Sequence, residues 1–418
     1  MMRVGDRVVV EVGPVAHGGH CVARHEGQVL FVRHALPGER VEAVVTDVGR
    51  KNRFVRADAV AVLEPSADRV DAPCPHARPG GCGGCDWQHA SLPAQRSLKA
   101  TVLREQLERL GGIHEIGGVP LADCVDVVAV PGDHEGLGWR TRVRFAVGPD
   151  GRAGFHGHRS HAVQAVDPCP LTTHEVQGIG ATAQAWDGAT ELEVVASSGG
   201  DRTVVVEPST LGRRLPREVN VPGLRGRGWV RELAAGREWR VAAGGFWQVH
   251  PGAPAALVDA VRALLAPQPG EHLLDLYCGV GLFAGALAGD LGPEGSVDAV
   301  EASVQACSDA RRNLHDLPTV RIHAAPVERW LASASAPDSA DLVVLDPPRS
   351  GAGTEVMDAV LDRAPRAIAY VACDPAALGR DLGHAVRSGW RVGSVQGFDL
   401  FPMTHHLEAV ALLLPPSR

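Results

Sequence analysis

Cys373 stands between the apolar run AIAYVA and the segment DPAALGRDL, which opens a helix. A thiol at a helix N-terminus has a lowered pKa and is a stronger nucleophile. A lone cysteine at a strand end is more often a small buried hydrophobe, so a second group is needed before chemistry can be argued. FPMTHHLE, residues 401–408, provides it: Glu408 starts the last strand beside His405 and His406. A thiolate with a nearby carboxylate base suits attack on an electron-poor pyrimidine. Uracil C5 is too weak a nucleophile to take a methyl group unaided. Addition of Cys373 to C6 would give an enolate with carbanion character at C5, able to attack the sulfonium methyl of S-adenosylmethionine. Glu408 would then remove the C5 proton and the thiolate would leave. This joins covalent to general base catalysis. The target base would have to leave its stack to reach such a pair.

A methyl donor needs a pocket. LLDLYCGVGLF, residues 273–283, puts a glycine loop directly after a buried strand and before a helix. Gly279 and Gly281 allow the tight turn and close approach of backbone to ligand. Ala284 follows Phe283, so the third glycine of a dinucleotide fingerprint is absent, which weakens NAD as the ligand. A second strand, SVDAVE, ends at Glu301, where a carboxylate can accept hydrogen bonds from ribose hydroxyls. Ligands of open α/β sheets bind at the carboxyl ends of strands. Tyr277, Glu301, Asp346 and Cys373 each fall at such an end in this reading. Asp346-Pro347-Pro348-Arg349 resembles the Asp-Pro-Pro-aromatic loop of amino methyltransferases, but Arg349 replaces the aromatic that grips an amino group. An amino-group methyltransferase would also leave Cys373 and Glu408 without roles.

Cys74, Cys82 and Cys85 have the spacing C-x7-C-x2-C, and Cys169 follows far downstream in DPCPL. Thiolates at this density hold zinc or an iron–sulfur cluster. One close pair plus two single cysteines favours a [4Fe–4S] cluster over zinc, which more often uses two close pairs. The spacing C-x3-C-x2-C is absent, so a radical mechanism is not indicated and the role is structural or RNA-positioning. Cys21, Cys124, Cys278 and Cys307 read as packing residues.

Three kinds of element position these groups. Residues 1–62 read as four short strands, VGDRVVVEVG, GQVLFVRH, ERVEAVVTDVG and FVRADAVAVLEP, with glycine turns between them. That pattern suggests a small OB-like β-barrel. Arg24, Arg33 and Arg53 on its surface would make a nucleic-acid platform. Residues 63–245 read as a central mixed α+β domain. Its segment 64–90 is rich in Pro, Gly and Cys and has no regular element. A helix follows over roughly 93–110. WRTRVRFAV then reads as a strand with Arg140, Arg142 and Arg144 on one face. Residues 246–418 alternate helix and strand, which predicts a Rossmann-like parallel sheet with right-handed crossovers. The fold class is therefore α/β, with a small barrel in front.

The 418-residue length suits about two or three domains. The formal charge of −8 argues against a nucleic-acid partner at first sight. The charge is unevenly spread, however. Residues 202–240 carry nine Arg against four Glu, and residues 137–161 carry five Arg against Asp150. Such local basic stretches are footprints for a polyanion. Only Lys51 and Lys99 are lysines. No run of 18 apolar residues and no secretory leader are visible, so a cytoplasmic monomer without a membrane partner is expected.

FWQVH (246–250), LDLYCGVGLF (274–283), LDPPRSG (345–351), YVACDPAALGRDL (370–382) and FPMTHHLE together resemble the motif series of the RNA uracil-C5 methyltransferases. That resemblance implies a class I methyltransferase fold, Cys373 as nucleophile and Glu408 as base. It also implies Gln248, Tyr277, Glu301 and Asp346 as S-adenosylmethionine contacts, with Gly279 and Gly281 in the binding loop. Leu282 and His250 stand where the family often has Asn, and Pro326 where an acidic or amide residue is common. CPHARPGGCGGC resembles the cluster segment of the ribosomal-RNA branch, in which Cys169 matches the fourth ligand. The barrel is similar to a TRAM domain, an RNA-binding module at the front of that branch. The resemblance therefore implies 5-methyluridine formation in RNA, with 23S ribosomal RNA favoured over transfer RNA. The reading from another class is an RNA-binding protein that keeps the fold without activity.

Overall fold

The computed structural model describes residues 2–50, 53–166, 168–208 and 228–416. Lys51 and, from the basic stretch at 202–240, Arg213, Arg214, Arg217, Arg225 and Arg227 lie outside the described residues.

The N-terminal barrel is closed and has five strands, Arg7–Val15, Cys21–His25, Gln28–Arg33, Arg40–Val48 and Val55–Glu64. CVARH adds a fifth strand to the four expected from the sequence pattern; it escapes that pattern because it is short and sits directly after a glycine turn. Period-two alternation sends Val10, Val12, Leu30, Val32, Val41 and Val45 inward. Trp87, from the irregular cysteine segment, joins that core together with Val102 of the helix Leu92–Gly111. Ser91 caps this helix by accepting from the Ala94 N–H, and Gly112 ends it in a left-handed turn.

A central antiparallel sheet has the strand order Val163–Ala165, Ala153–His156, Arg142–Val147, Ala189–Ala196, Arg202–Pro208. A separate hairpin, Trp229–Ala234 with Arg237–Ala242, is held to the helix Val304–Asn313, where Asp309 accepts from the Ala242 N–H at 3.0 Å.

The large sheet has eight strands in the order Val320–Ala324, Ser296–Glu301, His272–Leu276, Leu342–Leu345, Ala367–Ala372, Glu408–Leu414, Arg391–Asp399, Val127–Ala129. Its central strands are apolar throughout because helices cover both faces: all of LVVL and AIAYVA is buried. The sheet is not wholly parallel as expected from alternation. Glu408–Leu414 runs antiparallel to both neighbours, which a hydrophobic run cannot disclose. That reversal brings the start of Glu408–Leu414 to the carboxyl ends of the other strands. Among the described residues, no helix is long and apolar enough to cross a membrane.

Several of the arginines expected to face a nucleic acid are otherwise employed. Arg142 is buried and donates to Glu232 Oε1 at 3.0 Å, while Arg144 is exposed and pairs with Glu191 and Glu193. Arg140 precedes the strand and lies among the cysteines. Arg33 is buried, 3.7 Å from Asp86, whereas Arg24 and Arg53 are exposed. Cys124 is exposed rather than a packing residue; Cys21, Cys278 and Cys307 are buried.

Candidate active site

Tyr277, Asp346 and Cys373 each follow the last residue of a parallel strand, and Glu301 is itself the last residue of one. The four therefore share one edge of the sheet. Ala372 pairs with Ala409 across the antiparallel ladder, so the next step of the register sets Cys373 opposite Glu408. Glu408 is only 3% exposed. Burial, and secondarily Asp346, raises its carboxyl pKa well above the ordinary range, against the pull of Arg349. Cys373 is not activated as a helix N-terminus alone would suggest. Burial, Glu408 and Asp346 push its thiol up to about 12, again opposed by Arg349. Burial, reinforced by the neighbouring carboxyl groups, overrides the helix terminus.

Cys373 opens onto a cavity of about 170 Å³ whose wall includes His17, Arg349, His405 and His406. The barrel reaches this cavity through its first turn. His17 Nε2 lies 3.3 Å from Asp374 Oδ2, and Asp374 also caps the helix Pro375–Arg387 through the Ala377 N–H. Gly19 packs against His405 so closely that a Cβ would stand 2.7 Å from the histidine Cβ. With φ of +82° it occupies a backbone region only glycine enters freely.

The glycine loop lies two strands away, beyond Leu342–Leu345. Gly281 has φ +91° and an added Cβ would meet Leu314 at 2.7 Å, whereas the space over Gly279 is open. Tyr277 holds a left-handed φ of 66°. Glu301 accepts from the Gly279 N–H at 3.1 Å and from the Ser303 N–H at 2.7 Å. Asp275, which the sequence patterns above do not single out, is fully buried, and one carboxylate oxygen accepts from the Ala284 N–H at 2.8 Å while Oδ1 has no partner among the described residues. Its signal was present: it is the polar residue inside an otherwise apolar buried strand. Burial raises the Asp275 pKa to about 7, helped by Glu301, and the Asp346 pKa to about 7, helped by Asp275 and Glu301. Three carboxylates thus crowd a pocket that a cationic ligand would relieve. Gln248 is half-buried after the exposed Phe246, and its amide makes no hydrogen bond among the described residues. His250 is buried against Trp139 and accepts from the Gly252 N–H, Leu282 begins a short buried helix, and Pro326 precedes the helix Val327–Leu331.

Comparison with known proteins decides what this arrangement belongs to. The family model described as TRAM domain matches residues 2–60, and that described as tRNA (Uracil-5-)-methyltransferase matches residues 338–415. A relative from Streptomyces avermitilis, named uncharacterized RNA methyltransferase, is 48% identical over 99% of this chain and 100% of its own length. A Streptomyces coelicolor relative of the same description is 49% identical over 99% of this chain and 94% of its own. The chain belongs to the RNA uracil-C5 methyltransferase family. The methyltransferase fold is shared with a solved Pyrococcus abyssi structure, tRNA (uracil-54, C5)-methyltransferase in complex with S-adenosyl-L-homocysteine. That likeness has a TM-score of 0.69 at 21% identity over 97% of this chain and 100% of the other.

In this RNA methyltransferase Cys74, Cys82, Cys85 and Cys169 line one small cavity with Arg140. Among the described residues, the buried Arg140 Nε has no hydrogen-bond partner. Burial raises the thiol pKa values of Cys82, Cys85 and Cys169. Among the described residues, no three His, Cys, Asp or Glu side chains are set to hold a single metal ion.

The loop before Glu408 is anchored by the buried Lys99, whose Nζ donates to Asp399 Oδ1 at 2.6 Å and to the Phe401 carbonyl at 3.0 Å. Removing one partner of a buried ion pair costs about 3–5 kcal/mol. Thermal melting of Lys99→Ala is expected to show that loss as a clearly lower Tm.

Proposed function

We propose that this methyltransferase forms 5-methyluridine in RNA, with 23S ribosomal RNA as substrate, through a covalent bond between Cys373 and uracil C6. The observation that carries the reading is the strand register that sets Cys373 opposite Glu408. Tyr277, Gly279, Gly281, Glu301 and Asp346, joined by Asp275, would form the methyl-donor pocket, with Gln248 at its margin. S-adenosylmethionine, when bound, supplies the methyl group from a sulfonium cation, whose charge also favours the ionised forms of nearby acids. Cys373 loses its proton to solvent water and adds as thiolate to C6, and the C5–C6 electron pair moves to an enolate whose C5 takes the methyl group. The C5–H bond breaks after C5 has been methylated: Glu408 takes that proton, the electron pair restores the C5–C6 double bond, and the thiolate is expelled. Arg349 eases ionisation of both side chains. In this reading residues 1–62 grip RNA, residues 63–245 recognise it and residues 246–418 carry out the transfer, in the cytoplasm.

The test is mass mapping of modified uridines in RNA from cells lacking the gene. Loss of one 5-methyluridine from 23S ribosomal RNA, restored by the gene, is expected. Loss from transfer RNA instead would move the substrate, and the fold likeness over 97% of the chain means that the barrel alone does not separate the two. No lost methyluridine in either RNA would sink the reading.

The four thiols fit a [4Fe–4S] cluster better than zinc: they share one cavity wall without closing on a single ion, and an anionic cluster would satisfy the orphaned Arg140 Nε. A cluster would tie the segment 74–85 to Cys169 and so order a stretch with no regular structure. Anaerobically purified protein is expected to show a broad visible absorption that bleaches on reduction. A colourless protein with stoichiometric zinc would overturn this assignment.

A further inference from the structure

The loop Phe401–Leu407 carries no regular structure, yet one short segment of the cysteine region holds it from several sides. The backbone N–H groups of Asp86 and Trp87 both donate to the Met403 carbonyl, at 3.0 and 3.1 Å. Gln95 Oε1 accepts from the Met403 N–H at 2.7 Å, and Met403 keeps a left-handed φ of 68°. Asp86 Oδ2 then accepts twice from His405, from its backbone N–H at 3.1 Å and from its ring Nδ1 at 2.6 Å. Trp87 Nε1 donates to the Gly19 carbonyl at 3.0 Å, tying the barrel turn to the same point.

A carboxylate accepts hydrogen bonds only, so Nδ1 of His405 carries the proton and the ring orientation is set. Burial disfavours an ionised Asp86, but its bonds to His405 and the charge of Arg33 hold its pKa down to about 2. Among the described residues, Nε2 is left as the unengaged ring nitrogen in a residue that lines the Cys373 cavity. His17 and Asp374 of that wall pair with each other, Arg349 acts on Cys373 and Glu408, and the adjacent His406 ring is packed against Phe401 and His405 rather than held by a carboxylate. A pyrimidine attacked at C6 turns its hydrogen-bonding edge away from the sulfur. Uracil and cytosine present opposite donor and acceptor patterns on that edge. An imidazole of fixed tautomer is a group that can tell them apart.

We infer that Asp86 is a positioning residue that locks the His405 ring in the wall of the Cys373 cavity, and that His405 Nε2 meets the polar edge of the target uracil and selects it over cytosine. The inference rests on the uracil-C5 reading above. Its test uses the full-length protein, methyl-labelled S-adenosylmethionine and total RNA from a strain lacking the gene. His405→Ala should lower kcat/KM for that RNA about 10- to 100-fold, the cost of one lost buried hydrogen bond, with calorimetric affinity for S-adenosylmethionine unchanged. Asp86→Asn should give most of the same loss, and the double variant should be no worse than His405→Ala alone, because both changes remove one contact. Mass analysis should show a larger share of 5-methylcytidine in the product of either variant. A His405→Ala protein with wild-type kcat/KM, or losses that multiply in the double variant, overturns the inference while the uridine reading stands. A wild-type protein that makes no 5-methyluridine overturns both.

Discussion

Cys373→Ala will reduce methyl transfer to background while leaving S-adenosylmethionine binding intact. Without the sulfur, C5 of the pyrimidine never gains the electron density that transfer requires, and no neighbouring group replaces it. The proposed donor pocket lies at other strand ends, around Glu301 and Asp346, so calorimetric affinity should be that of the wild type. The substitution removes one half-buried sulfur and should barely move the Tm. Full activity in this variant would rule out covalent catalysis. Loss of cofactor affinity along with activity would point instead to a collapsed pocket.

Glu408→Gln should stall the reaction one step later. Cys373 can still add and C5 can still be methylated, but the C5 proton has no acceptor and the sulfur cannot leave. Loss of a general base costs about 10²–10⁴-fold in rate, enough for a protein–RNA adduct to survive denaturation and appear as a retarded band. Normal turnover with no adduct would reject Glu408 as the base. The same variant carries a pH signature. The folded protein holds the Glu408 proton more tightly than the unfolded chain does, because burial raises its pKa. Stability is therefore complete below the ordinary carboxylate pKa and declines as pH rises from there through the raised folded value. Glutamine has no proton to lose. The Tm of Glu408→Gln should match wild type near about pH 4 and exceed it increasingly toward about pH 8, because the ordinary carboxylate pKa marks where the loss begins.

Much of this molecule was legible in the chain. Hydrophobic runs bounded by turn residues located seven strands of the large sheet, since strands covered on both faces are largely apolar, but not the short Val127–Ala129, which joins its edge from the central stretch. The ends of those runs marked Tyr277, Glu301, Asp346 and Cys373 as neighbours on one edge, because parallel strands share a direction. The irregular character of 64–90 followed from its Pro, Gly and Cys content. Other features were not legible. The arginine stripe of WRTRVRFAV failed as an RNA surface because Arg142 meets Glu232, ninety positions away, in a buried pair. The lowered thiol pKa expected at Cys373 failed because burial, helped by Glu408 and Asp346, raises it.

The residue order by itself determined the kinds of element, the donor loop between strand and helix, and which side chains stood at strand ends, because these depend on periodicity and local turn chemistry. Folding alone decided which of them meet. The last strand runs antiparallel and sets Glu408 opposite Cys373, and Asp86 grips His405 across 319 positions of chain. Such meetings depend on long-range pairing and burial, and burial also sets the charge state of the groups involved. Neither is encoded in any local window of residues.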